Sequence, residues 1–166
     1  MKLALQVLNN LVREGVINDY AIGGAMGATF YLEPVMTIDL DVFVLFADDS
    51  SLLPLQPIYE NLKKKGYLPD ARMPECIDIG GTPVQFLPAY NPLLVEALEH
   101  AKSFDYDGVI TKVLPAEYLA AISQQTGRAK DKLRVQAFLE SDKCDKSLLE
   151  SILEKHGLSL PTGGIA

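Results

Sequence analysis

The segment Ile38-Asp39-Leu40-Asp41-Val42-Phe43-Val44-Leu45-Phe46 constrains the fold of this chain more than any other. Its residues favour a pleated strand, and its second half is apolar at every position, so both faces of that strand must be covered. A strand covered on both faces belongs in the middle of a sheet with helices on either side, which gives an α/β (α+β) fold with a mixed sheet. The first half alternates. Residues two apart share a face, so Asp39 and Asp41 project together while Ile38, Leu40 and Val42 face the other way. Two adjacent carboxylates repel, and apolar neighbours raise the cost of keeping both ionised. A divalent cation resolves that conflict. Mg²⁺, or Mn²⁺ in its place, suits a site of one or two carboxylates completed by phosphate oxygens, so Asp39 and Asp41 are the expected metal ligands. An isolated Asp-x-Asp, by contrast, is most often an exposed strand end.

What precedes this strand makes the pair more specific. Leu5, Leu8, Leu11 and Val12 recur at helical spacing, which predicts an amphipathic helix over residues 2–14, ended by Gly15. Asp19 to Ile22 reads as a short strand, broken by Gly23-Gly24, and Ala25 to Leu32 as a buried helix closed by Pro34. A bare Gly-Gly backbone lets a ligand approach closely, and the first amides of the helix after it can hold a phosphate.

Downstream, Asp48-Asp49-Ser50-Ser51 is a polar loop, and Leu55 to Lys65 is helical, with Lys63, Lys64 and Lys65 complementing the dipole of its last turn. Residues 75–79 and 82–87 form a hairpin through Gly80-Gly81, Asn91-Pro92 starts a helix running to about Lys102, and Gly108 to Leu114 is a strand. Helices follow over 116–125, 128–141 and 145–156. The expected organisation is one domain over 1–166, a mixed α/β core (1–114) with a helical tail (115–166) packed on the sheet.

Composition bounds the partners. Among 166 residues, 22 acidic and 15 basic ones give a net charge of −7, which disfavours nonspecific attraction to a nucleic-acid backbone. Cys76 and Cys144 are too far apart for a C-x-x-C pair and too few for a secreted disulfide scaffold, so a reducing cytoplasm is expected. The longest apolar run, Val42 to Ala47, falls far short of the ~20 residues of a membrane span. Asn9, Asn10, Arg13 and Glu14 interrupt the apolar N-terminus before any leader-like cleavage site. Leu160-Pro161-Thr162-Gly163 lacks the features of a sorting signal.

Ile22-Gly23-Gly24 followed by the strand bearing Thr37, Asp39 and Asp41 resembles the nucleotidyltransferase superfamily of the DNA polymerase beta type, in particular its minimal and Abi-type toxin branches. Pro115-Ala-Glu-Tyr-Leu-Ala-Ala and then Gly127-Arg128-Ala129-Lys130-Asp131 look like the helical Lys-Asp segment of that branch. The resemblance spans roughly residues 3–140. It implies a mixed sheet with the phosphate loop and the carboxylates at one edge, and transfer of a nucleoside monophosphate from a nucleoside triphosphate to an acceptor hydroxyl. Asp39 and Asp41 would then be catalytic through the metal, and Gly23 and Gly24 would cradle the triphosphate. The acceptor, whether a small molecule, a protein or a tRNA end, is not legible. A homodimer or a toxin–antitoxin-like partner protein is the association left open.

One departure stands out. Where the family places a third carboxylate on a later strand, this chain has Gln85, which can coordinate through its carbonyl but takes no proton at neutral pH. Asp78, across the hairpin, is the alternative third ligand. The alternative function is a catalytically degenerate member that binds nucleotide or acts as an interaction or regulatory module. Arg128, Lys130, Lys132 and Arg134 around Asp131 give a local charge of +3 in an acidic chain, with Lys130 the first choice for phosphate binding and Arg128 the second. His100 and His156 read as surface residues near helix ends, and Tyr20, Phe30 and Tyr31 as core aromatics around the glycine loop, with the border of a base pocket the alternative for Tyr31.

Overall fold

A computed structural model describes residues 1–34, 36–46 and 54–160. The polar loop at 48–51 and most of the 160–163 motif lie outside the described residues. Helix α1 (Lys2–Arg13) presents Leu5, Leu8 and Leu11 as one buried stripe, each contributing about 2 kcal/mol by its removal from water. Strand β1 (Asp19–Ile22), helix α2 (Gly24–Ala28), strand β2 (Leu40–Leu45) and helix α3 (Gln56–Lys64) follow. Then come β3 (Leu68–Pro69), β4 (Ile77–Ile79), β5 (Thr82–Pro88), α4 (Pro92–Glu99), β6 (Lys102–Tyr106) and β7 (Val109–Val113). Three helices finish the described chain: α5 (Ala116–Thr126), α6 (Ala129–Glu140) and α7 (Lys146–Lys155). No helix among the described residues is long and apolar enough to cross a membrane.

The strands form one mixed sheet in the order β3-β4-β5-β2-β1-β7-β6. β2 is its middle strand, parallel to β5 and antiparallel to β1. Each face has its own core. Tyr20, Ile22, Leu40, Val42, Val44, Val84 and Phe86 pack with the buried stripes of α1 and α3. Ala21 and Phe43 meet Leu93 and Leu94 of α4, Leu119 of α5 and Leu149 of α7 on the other face. The full burial of Val42 and Val44, with Phe43 at 8% exposure, is what the apolar second half of β2 demands. The carboxylates are therefore not at an edge of the sheet, as the resemblance implied, but at one end of its central strand.

Several boundaries differ from the sequence reading. β2 begins at Leu40, since its ladder with β5 starts at the Leu40–Val84 pair, and Ile38, ahead of it, is 67% exposed. α2 ends at Ala28 rather than Leu32. Gly24 and Gly27 are poor helix formers, and the Thr29 hydroxyl donates to the Met26 carbonyl at 2.7 Å as the helix gives way to turns. α4 stops at Glu99, short of the Lys102 expected from sequence, and residues 102–106 form the edge strand β6 paired with β7. Asp107 (φ 52°) and Gly108 (φ 80°) make the turn between them, the Asp-Gly arrangement whose twist matches a tight hairpin. Lys65 closes α3 by pairing with Glu14 at 2.6 Å, across to α1.

A polar clasp ties α4 to the tail. The Glu96 carboxylate accepts from Tyr118 Oη at 2.9 Å, Lys155 Nζ at 2.8 Å and His156 Nε2 at 2.9 Å. His156 is thus an inward-facing partner and not the surface residue its place at a helix end suggested. The Lys155 bond, ahead of the Tyr118 and His156 bonds, outweighs the cost of burial and holds the Glu96 carboxyl down at about 2. A carboxyl lowered on folding contributes stability that is complete above its unfolded value and lost as pH falls toward the folded one. Thermal melts taken from about pH 6 to pH 2 should show the native protein losing this contribution between about 4.5 and 2. Glu96→Gln should melt lower at pH 6 and fall less steeply in that window, whereas equal slopes for the two proteins would remove Glu96 from the clasp.

Candidate functional site

Asp41 is the second residue of β2 and points to the face covered by α2, α4, α5 and α6. Its direct partner on the parallel strand β5 is Gln85. Asp39 lies just before the strand, half-buried, with the Thr37 hydroxyl donating to its Oδ1 at 3.2 Å. Thr37, Asp39, Asp41 and Gln85 line one wall of a cleft of about 930 Å³, and Arg128, Lys130 and Arg134 of the α6 region line the other. A second cleft of about 260 Å³ shares Asp41, Gln85, Arg128 and Arg134, and extends past Gly24 to Ser123 on α5. Asp41 stands where the two clefts meet.

The glycine pair makes room for the side chains of β2. The Gly23 amide donates to the Asp41 carbonyl at 2.9 Å, and a Cβ on Gly23 would sit 2.4 Å from the Phe43 ring. Gly24 has φ +57°, and a Cβ there would fall 1.7 Å from Asp41 Oδ2. The bare backbone is thus filled first by the carboxylate itself. Burial above all, then the neighbouring Asp39 charge, push the Asp41 carboxyl up from its ordinary value, while Lys130, Arg134 and Arg128 pull it back. The basic helix therefore acts on Asp41 through space.

The cations of that helix are organised by Asp131. Helix α5 ends at Gly127 in the left-handed conformation (φ 68°), and Arg128 caps α6 directly. Asp131, 1% exposed, accepts from Arg128 Nε at 2.6 Å and from Arg134 Nη1 at 3.1 Å. Lys130 is exposed on the rim of the large cleft. Arg134 is the residue that the sequence reading left out of the site, although the Arg-x-x-Asp-x-x-Arg spacing, which stacks all three on one helical stripe, carried the signal. Asp78 shares a face with Gln85 through the Asp78–Pro83 pair, but its Oδ1 accepts from the Gly81 amide at 2.7 Å in the hairpin turn, and it lines neither cleft. Tyr31 lines the large cleft and packs edge-on against Phe104, ring centroids 5.7 Å apart. The thiols of Cys76 and Cys144 are free and buried, each pushed up to about 11 mainly by burial.

The donor set decides which metal this site could hold. Among the described residues no three His, Cys, Asp or Glu side chains converge on a metal position. Two carboxylates and the Gln85 carbonyl are hard oxygen donors that leave most of a coordination sphere to water or phosphate, which fits Mg²⁺ and not Zn²⁺. The Asp39 charge, which adds to the cost of ionising Asp41, is one that a cation held there would offset.

The Gly24–Asp41 contact yields a test. Gly24→Ala forces a β-carbon into a left-handed conformation, costing about 1–2 kcal/mol, and also drives the Asp41 carboxylate from its seat. We expect a measurable drop in melting temperature and, where Mg²⁺ raises the melting temperature of the native protein, loss of that rise. Retention of the full metal response in a folded Gly24→Ala protein would show that Asp41 does not depend on this contact.

No protein family matches the sequence, and no curated protein is significantly similar to it. Solved structures do match in fold. An antigenic nucleotidyltransferase-like protein from Paracoccidioides brasiliensis is similar over 93% of this chain and 87% of its own, with a TM-score of 0.57 at 13% identity. The antibiotic-resistance factor ANT(2'')-Ia is similar over 94% of this chain and 91% of its own, with a TM-score of 0.54 at 12% identity. At that identity the likeness concerns architecture, and the chain has the mixed-sheet α+β fold of nucleotidyltransferase-like proteins.

Proposed function

We propose that this chain is a magnesium-dependent nucleotidyltransferase of the minimal, Abi-type branch, transferring a nucleoside monophosphate from a nucleoside triphosphate to an acceptor hydroxyl. The observation that carries the reading is the position of Asp41, beside Asp39 at the junction of two clefts, under a cationic helix. A two-substrate transfer needs two approaches to one reacting phosphorus, and this junction provides them. Asp39 and Asp41 would hold Mg²⁺, which when bound neutralises phosphate charge and orients the α-phosphate for in-line displacement. Arg128 and Lys130 face the triphosphate, and Gly24 brings bare backbone to the smaller cleft beside Asp41, whereas Gly23, covered by the Phe43 ring and with its amide bonded to the Asp41 carbonyl, shapes the turn and does not cradle the phosphates. The acceptor oxygen bonds to the α-phosphorus as the bond to pyrophosphate breaks. Gln85, in register with Asp41, takes no proton, so the hydroxyl proton leaves to water.

Calorimetric titration with ATP, CTP, GTP and UTP in the presence of Mg²⁺ tests this reading. At least one should bind, and Asp39→Ala/Asp41→Ala should weaken it by about tenfold or more. Absence of binding to all four, or binding indifferent to the double substitution, would sink the proposal. Gln85→Glu should tighten Mg²⁺ binding several-fold by adding a third carboxylate next to Asp41, as read by metal-dependent melting. An unchanged response would place the metal away from β5.

A further inference from the structure

Asp131 is an expensive residue in the place it occupies. A buried carboxylate costs several kcal/mol unless charged donors surround it, and well-packed apolar side chains are often at least as stable as a buried ionic triad. Here the donors are Arg128 Nε at 2.6 Å and Nη2 at 3.4 Å, and Arg134 Nη1 at 3.1 Å. The two arginines are not equivalent. The Arg128 side chain is 61% exposed and that of Arg134 only 14%, with Ser123 Oγ of α5 a further 3.5 Å from the same Arg134 Nη1. Both guanidiniums line both clefts, on the wall opposite Asp41 and Gln85. A guanidinium presents donors in a fixed fork that matches phosphate oxygens, but only if its plane is held.

We propose that Asp131 is a positioning residue that fixes the Arg134 guanidinium, with Arg128 beside it, where the two clefts meet, as the receiver of the triphosphate of a magnesium nucleotide. This rests on the nucleotide reading above and sharpens it. Arg134, not the rim residue Lys130, becomes the principal phosphate-binding side chain. Coulomb's law alone assigns Asp131 the opposite effect, since a carboxylate beside an anion site weakens binding and its removal should strengthen it. A positioning role reverses that sign.

The experiment uses the full chain and calorimetric titration with Mg²⁺–ATP and with Mg²⁺–tripolyphosphate, with circular dichroism and thermal melting to establish that each variant is folded. Asp131→Asn should bind both probes about tenfold more weakly despite its gain of positive charge, and Arg134→Lys should do the same at unchanged charge. Asp131→Asn with equal or tighter binding, or Arg134→Lys with full affinity, overturns the proposal. Should Asp131→Asn not fold, Arg134→Lys decides alone. Native protein that binds neither probe overturns the nucleotide reading and this inference together, whereas native binding with unaltered variants overturns only the inference.

Discussion

The contact of the Asp41 carboxylate with the bare α-carbon of Gly24 is the constraint on which the rest of the site depends. A charged group on the central strand of a sheet would ordinarily be excluded, because both faces there are needed for the core. The chain accommodates it by ending β1 in two glycines, so that the turn into α2 leaves a space the size of a side chain next to β2. Phe43, two residues further along the same face, uses the adjacent space over Gly23 and returns the face to the hydrophobic core. The strand thus changes from polar to apolar within one pleat repeat, and the change marks the boundary between site and core.

The helical tail supplies the other half of the site by geometry of the same economy. Gly127 turns the chain with φ 68°, and Arg128 caps the next helix at once, so α5 and α6 form a tight helical hairpin. α5 is held by the core residues Tyr118, Leu119, Ala120 and Ala121, and α6 can then extend its first turn over Asp41. Cations in that first turn oppose the helix dipole. Asp131, in the same turn and buried, offsets the dipole and the two arginines together.

Much of this was legible in the residues. The run from Val42 to Phe46 could only be a covered strand, and Gly23-Gly24 with Asp39 and Asp41 could be recognised as one constellation because their spacing is local. What escaped depended on long-range pairing. β6 is a mostly exposed edge strand whose Lys102, Ser103 and Asp105 carry little strand signal, and the Asp107-Gly108 turn is the local feature that could have revealed it. The central place of β2 was readable from its apolar second half, but its parallel neighbour β5 was not, because no local pattern encodes that partnership. His156 and Glu96 are sixty residues apart in the chain, and their contact exists only because α7 folds back on α4. Arg134 was hidden differently. Its three-residue spacing from Asp131, the same as that of Arg128, is visible in the sequence, but what sets it apart from Lys130 and Lys132 is the burial of Asp131, which only the packed structure shows.

The charges lining the large cleft bear on how such a site would take its ligand. Glu33, Asp39, Asp41 and Glu140 oppose Arg128, Lys130 and Arg134 there, so the wall is close to neutral and slightly negative. A free triphosphate meets no net attraction in that setting, and the −7 of the whole chain repels it from a distance. A magnesium complex, carrying two fewer negative charges, would be opposed far less and would bring a cation to the aspartate pair, where like charges meet. On the nucleotide reading proposed above, discrimination in favour of the metal complex would follow from the same arrangement that makes Asp41 costly to ionise, and selectivity would lie in the pairing of β2 with α6 instead of in overall charge.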